Sequence, residues 1–64
     1  MELETRDALL KAYVQLHKIA EELYAAYDRA VDNNKLNDAS LLASRADKLY
    51  EEAENLELVI FERE

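Results

Sequence analysis

The sequence predicts an all-α chain folded as an antiparallel two-helix hairpin. Apolar residues recur in alternating steps of four and three along two long stretches, the a/d pattern of a helical seam. The chain contains no glycine and no proline, where average usage would supply roughly four or five of the first and about three of the second. One cluster alone, Asn33-Asn34-Lys35-Leu36-Asn37, has the composition of a turn, so the chain has one obvious place to reverse.

The first helix is expected from about residue 3 to residue 32. Leu9, Tyr13, Leu16, Ala20, Leu23, Tyr27 and Ala30 form its seam. Ala12, Ile19 and Ala26 lie on one flank, and Leu10, His17, Tyr24 and Val31 on the other. A helix that covers a single neighbour does not need so wide an apolar stripe. The turn is expected over residues 33–37. Asparagine tolerates the left-handed conformation that ends a helix, so Asn33 or Asn34 can take the place of glycine. Asn37 reads as the N-cap of the second helix, with Asp38 in its first turn and Leu36 and Leu41 as a hydrophobic staple. So short a connection makes the helices antiparallel.

The second helix is expected over about residues 38–63. Its seam places Ala39, Ala46 and Ala53 at the a positions and Leu42, Leu49 and Leu56 at the d positions, closing on Ile60. Alternating small and large residues lets helices approach closely and interdigitate in layers. Asp47, Lys48, Glu51, Glu54 and Glu62 mark the solvated face.

The 64 residues make one small domain, residues 1–64. So short a chain usually needs a disulfide, a metal or association. There is no cysteine, and His17 is the sole histidine, which excludes thiolate sites and argues against structural zinc. Association remains, and the sequence predicts a homodimer in which two hairpins make a four-helix bundle. The expected interface draws on the leucines at 9, 16, 23, 42, 49 and 56 and on Tyr13, Tyr24, Tyr27, Tyr50, Ile60 and Phe61. Tyr24 and Tyr50, at the seam's edge, are the expected contacts between hairpins, since tyrosine offers an apolar ring and a polar tip.

Fifteen acids against eight bases give a net charge of −7. That balance speaks against nucleic acid and anionic membrane, which reward clustered Lys and Arg, and suits a soluble protein or a basic partner. The N-terminus lacks the basic and apolar stretches of a secretory signal, and the longest apolar run, Leu58-Val59-Ile60-Phe61, is too short to cross a bilayer, so the expected location is cytoplasmic. The lack of glycine and proline suits both a specialised natural hairpin and a designed scaffold.

Ala46-Asp47-Lys48-Leu49-Tyr50 resembles the Ala-Asp-Glu-Leu-Tyr stretch in the second helix of the Rop-like plasmid copy-number regulators, hairpins that dimerise into four-helix bundles. The length and the small/large layering run in parallel across both helices. The resemblance implies the hairpin and its dimerisation. It does not carry over RNA binding: Rop-like proteins use a basic first-helix face with an exposed phenylalanine, where this chain offers Leu10, Val14 or Gln15, and Lys18. A lesser likeness joins Ser44-Arg45-Ala46-Asp47 to the Ser-Gln-x-x-Asp motif of hairpins that dephosphorylate sporulation response regulators. The serine-to-aspartate spacing is one residue short, and the glutamine is missing.

Three groups of residues are candidate sites. His17 and Glu21, at i and i+4, could share a metal or a hydrogen bond, but a packing histidine is the expected role. Asp47, Glu51 and Glu54 could act as paired carboxylates only inside a cleft, and they read as surface charge. Leu58 to Phe61 point all round a helix, so some dock on Met1, Leu3 and Leu10 or grip another protein. Without a nucleophile–base pair, a phosphate loop or a metal cluster, the chain reads as a non-enzyme without a cofactor. Its expected role is a self-associating interaction or regulatory module. A Rop-like RNA regulator and a small acidic phage-type inhibitor, sequestering a host protein through the Tyr and Phe61 surface, are the alternatives.

Overall fold

The computed structural model describes residues 1–62. They form two helices, α1 (Leu3–Asp32) and α2 (Leu36–Glu62), packed antiparallel into a rod of 47 × 14 × 11 Å. A 30-residue helix at 1.5 Å per residue accounts for about 45 Å of that length. No described helix is long and apolar enough to cross a membrane.

Alanine fills the interior. Ala20, Ala46 and Ala53 have no exposed surface, Ala39 and Ala30 are nearly closed, and Ile60 is the one large side chain fully buried among the described residues. Small side chains along the contact let the two backbones come close. Alanine also removes little apolar surface from water, so this interior contributes less than a leucine core of equal length. The seam leucines of both helices are half-buried.

The turn is tighter than expected. Asn34 adopts the left-handed conformation at φ 60°. The Lys35 N–H donates to the Ala30 carbonyl at 2.8 Å and the Asn34 N–H to the Val31 carbonyl at 3.0 Å, the paired bonds of a Schellman closure. Asn33 adds a side-chain bond from its Nδ2 to the Arg29 carbonyl at 2.9 Å. The two asparagines therefore divide the work, Asn34 by its backbone and Asn33 by its amide.

This closure corrects the start of the second helix. α2 begins at Leu36, with the Lys35 carbonyl accepting from the Ala39 N–H at 3.0 Å, so Asn37 lies inside the first turn and is not the N-cap. The staple goes with it, for Leu36 and Leu41 are both exposed. The physical reason is that the Schellman bonds already reverse the chain by Lys35. Asp38 stands in the first turn of α2. The end of the second helix expected at residue 63 lies outside the described residues.

The apolar run at the end of α2 divides by face. Ile60 is buried against α1 and Val59 is half-buried, while Leu58 and Phe61 are exposed. Phe61 packs on Tyr13 and beneath Arg6, whereas Met1 and Leu3 stay exposed and make no pocket for the run. Arg6 also donates from a guanidinium nitrogen to the Ile60 carbonyl at 3.2 Å. That bond ties the first turns of α1 to the far end of the described part of α2.

Candidate functional site

The buried alanines divide the hairpin into two unlike faces. At about 100° per residue, Leu16 and Leu23 fall on one side of Ala20, and His17 and Tyr24 on the other. The same construction on α2 puts Leu42 and Leu49 on one side of Ala46 and Tyr50 on the other. In an antiparallel pair, equivalent flanks meet. One face is therefore lined by Leu9, Leu16, Leu23, Leu42, Leu49 and Leu56, all half-buried, with Ile19 exposed beside them. The opposite face is aromatic.

The rings on that face form one continuous chain. Phe61 meets Tyr13 at 6.4 Å between centroids, Tyr13 meets His17 at 4.8 Å, and His17 meets Tyr50 at 5.4 Å, all edge to face. Tyr50 continues to Tyr24 at 5.6 Å and Tyr24 to Tyr27 at 6.4 Å. Arg6 extends the chain at one end, its guanidinium 5.8 Å from the Phe61 centroid. Edge-to-face pairs satisfy the ring quadrupoles and are worth about 0.5–1.5 kcal/mol each beyond area burial. The aromatic face thus closes on itself across α1 and α2.

One polar bond locks it. The Tyr24 hydroxyl donates to a carboxylate oxygen of Asp47. That bond, helped by partial desolvation and the nearby negative charge, holds the Tyr24 phenol above its ordinary value of 10.0. Asp47 is consequently engaged within the hairpin and does not stand free beside Ser44, Glu51 or Glu54.

Toward the end of the rod away from the turn, the aromatic face opens into a groove of about 740 Å³ lined by Tyr13, His17, Tyr50, Glu54, Asn55, Glu57, Leu58, Phe61 and Glu62. A shallower depression of about 430 Å³ shares Tyr13 and His17 and adds Val14, Lys18 and Glu21. Among the described residues, no group of three His, Cys, Asp or Glu side chains is disposed to hold a metal ion.

The residues expected at the interface thus fall into three places. The six leucines share the open face. Tyr13, Tyr24, Tyr50 and Phe61 share the opposite face, and Tyr27, five full turns from Leu9 and so at the same angle, stays in the seam and meets Tyr24 edge to face. Ile60 is buried inside the hairpin at 1% exposure. Sequence reasoning missed Arg6, whose partners lie 54 residues away and leave no local pattern. It also missed the Tyr24–Asp47 pair, although both residues flank their seams on the same side. No protein-family model, curated protein or solved structure matches this chain.

Proposed function

We propose that this chain is a non-catalytic interaction or regulatory module that pairs with a second copy through its leucine face, forming a four-helix bundle. The observation that carries the reading is the asymmetry of the hairpin. Rings and a hydrogen bond tie the side chains of one face to one another, while six leucines at seam positions stand half-buried on the other with no polar bond among them. Leucine, here at six d positions, is the residue that a second helical layer buries best, and a two-fold axis would set like against like. The leucines run from Leu9 to Leu23 on α1 and from Leu42 to Leu56 on α2, so a second copy would meet them along much of the 47 Å rod. The resemblance of the layering to Rop-like hairpins supports the same assembly. The net charge of −7 turns the reading away from RNA as the regulated target.

Sedimentation equilibrium over a broad concentration range tests the proposal. A mass of about twice the chain's 7.4 kDa is expected. A well-folded monomer at every concentration would overturn it.

A further inference from the structure

The leucine face, once paired, leaves the aromatic face outward, and the groove on that face is of a different character. Its volume of about 740 Å³ lies within the ~300–1,000 Å³ range of ligand clefts. Rings of Tyr13, His17, Tyr50 and Phe61 line it, and the carboxylates of Glu54, Glu57 and Glu62 stand among them, Glu54 and Glu57 nearer the middle of the rod. Among the described residues, the lining carries no lysine or arginine. Aromatic rings beside carboxylates suit a cation that brings its own apolar stem. The ring attracts the charge through its quadrupole, and the carboxylate completes the pairing. The molecule already displays half of this chemistry, since the Arg6 guanidinium rests over the Phe61 ring at 5.8 Å.

We propose that this groove binds a basic segment of a partner protein, taking an arginine side chain of that segment against the rings and pairing it with Glu54 and Glu57. The excess of acids over bases across the chain adds long-range attraction for such a segment. Arginine fits better than lysine because a planar guanidinium can stack on a ring and pair with a carboxylate at once. The proposal is independent of the leucine face and stands whether the chain is monomer or dimer.

The test uses the full chain and a short peptide with two central arginines, followed by aromatic NMR shifts and titration calorimetry at constant ionic strength. Saturable shifts of the Tyr13, His17, Tyr50 and Phe61 rings are expected. The double substitution Glu54→Gln with Glu57→Gln should weaken binding at least tenfold. The double substitution Glu4→Gln with Glu22→Gln, which removes equal charge elsewhere, should change it less than threefold. Phe61→Leu keeps an apolar side chain and should also weaken binding several-fold, with circular dichroism confirming the helices in every variant. Equal loss in both glutamine pairs would reduce the effect to general acidity and overturn the site. Undiminished binding of a peptide with citrulline for arginine would overturn the cationic occupant. Absence of ring shifts would overturn the groove altogether.

Discussion

The hydroxyl of Tyr24 on α1 bonds to the carboxylate of Asp47 on α2, the one side-chain hydrogen bond among the described residues that crosses between the helices' side chains. It raises the Tyr24 pKa above 10.0, because the carboxylate favours the protonated phenol and opposes a phenolate. A raised folded-state value contributes stability that is fully present below the unfolded tyrosine's pKa and is lost as pH rises through the folded one. The difference between the phenolate absorbance titrations of the wild type and Tyr24→Phe isolates this group. Its midpoint should lie above 10.0 and fall in the background of Asp47→Asn. A wild-type midpoint at or below 10.0 would refute the assignment.

Arg6 on α1 bonds the Ile60 carbonyl of α2 and rests over the Phe61 ring, so one side chain ties the two helices at the end away from the turn. Arg6→Met keeps most of the stem and removes the charge. Loss of the carbonyl bond and of the contact over Phe61 should cost about 1–2 kcal/mol. Chemical denaturation would measure it, and hydrogen exchange should show faster opening near Ile60 than near Ala39. Uniform exchange along α2 would argue against a local cap.

Asn34 holds the left-handed position of the turn at φ 60°. Asn34→Gly meets no Cβ conflict there and should leave stability unchanged or slightly raised. Asn34→Ala should lower it by about 1 kcal/mol, the usual cost of that conformation for an ordinary residue. Thermal melts of the two variants, compared at one protein concentration, decide the matter. Equal melting temperatures would mean that the turn relaxes to another form.

Leu16 and Leu49 lie on the open face of opposite helices, and both are already half in water. In the proposed dimer, replacing both by asparagine should raise the dissociation constant at least a hundredfold, as a buried polar group without a partner costs ~1–3 kcal/mol each. Asparagine in place of Lys48 and Glu52, both exposed, should leave assembly within threefold. Sedimentation of the two double variants gives the answer. Indifference to the leucine change would move the interface elsewhere.

Much of the fold was legible because it is written in period. The seam spacing names two helices, the asparagine pair names the reversal, and the alanine a positions name the buried line. The start of α2 was not legible. Asn37 and the Schellman bonds compete for the same few residues, and backbone closure at Asn34 settled the contest before any side-chain cap was needed. The two-faced character was half legible. The flanks of each seam differ in the sequence, with Ile19 on one side of α1 and His17 on the other. Yet spacing along one helix does not say which flanks meet. The tyrosines therefore read as part of one interface with the leucines, where packing puts them back to back. Arg6 shows the limit most plainly, since its partners on α2 come near only when the hairpin closes.

The alanine line has a consequence for alignment. Ala39, Ala46 and Ala53 repeat every seven residues, so sliding α2 by one heptad would set alanine where alanine stood. A spine of identical small residues is like a ladder with equal rungs: it fixes how near the helices come but not which rung meets which. The alignment must come from what breaks the repeat. Ile60, a large residue in the next a position, is buried where an alanine would leave a hole. The closed turn at Asn34 allows no slack at the other end, and Tyr24 reaches Asp47 in one alignment only. Smoothness along the middle and stops at both ends give a hairpin whose halves find each other quickly and settle in a single place.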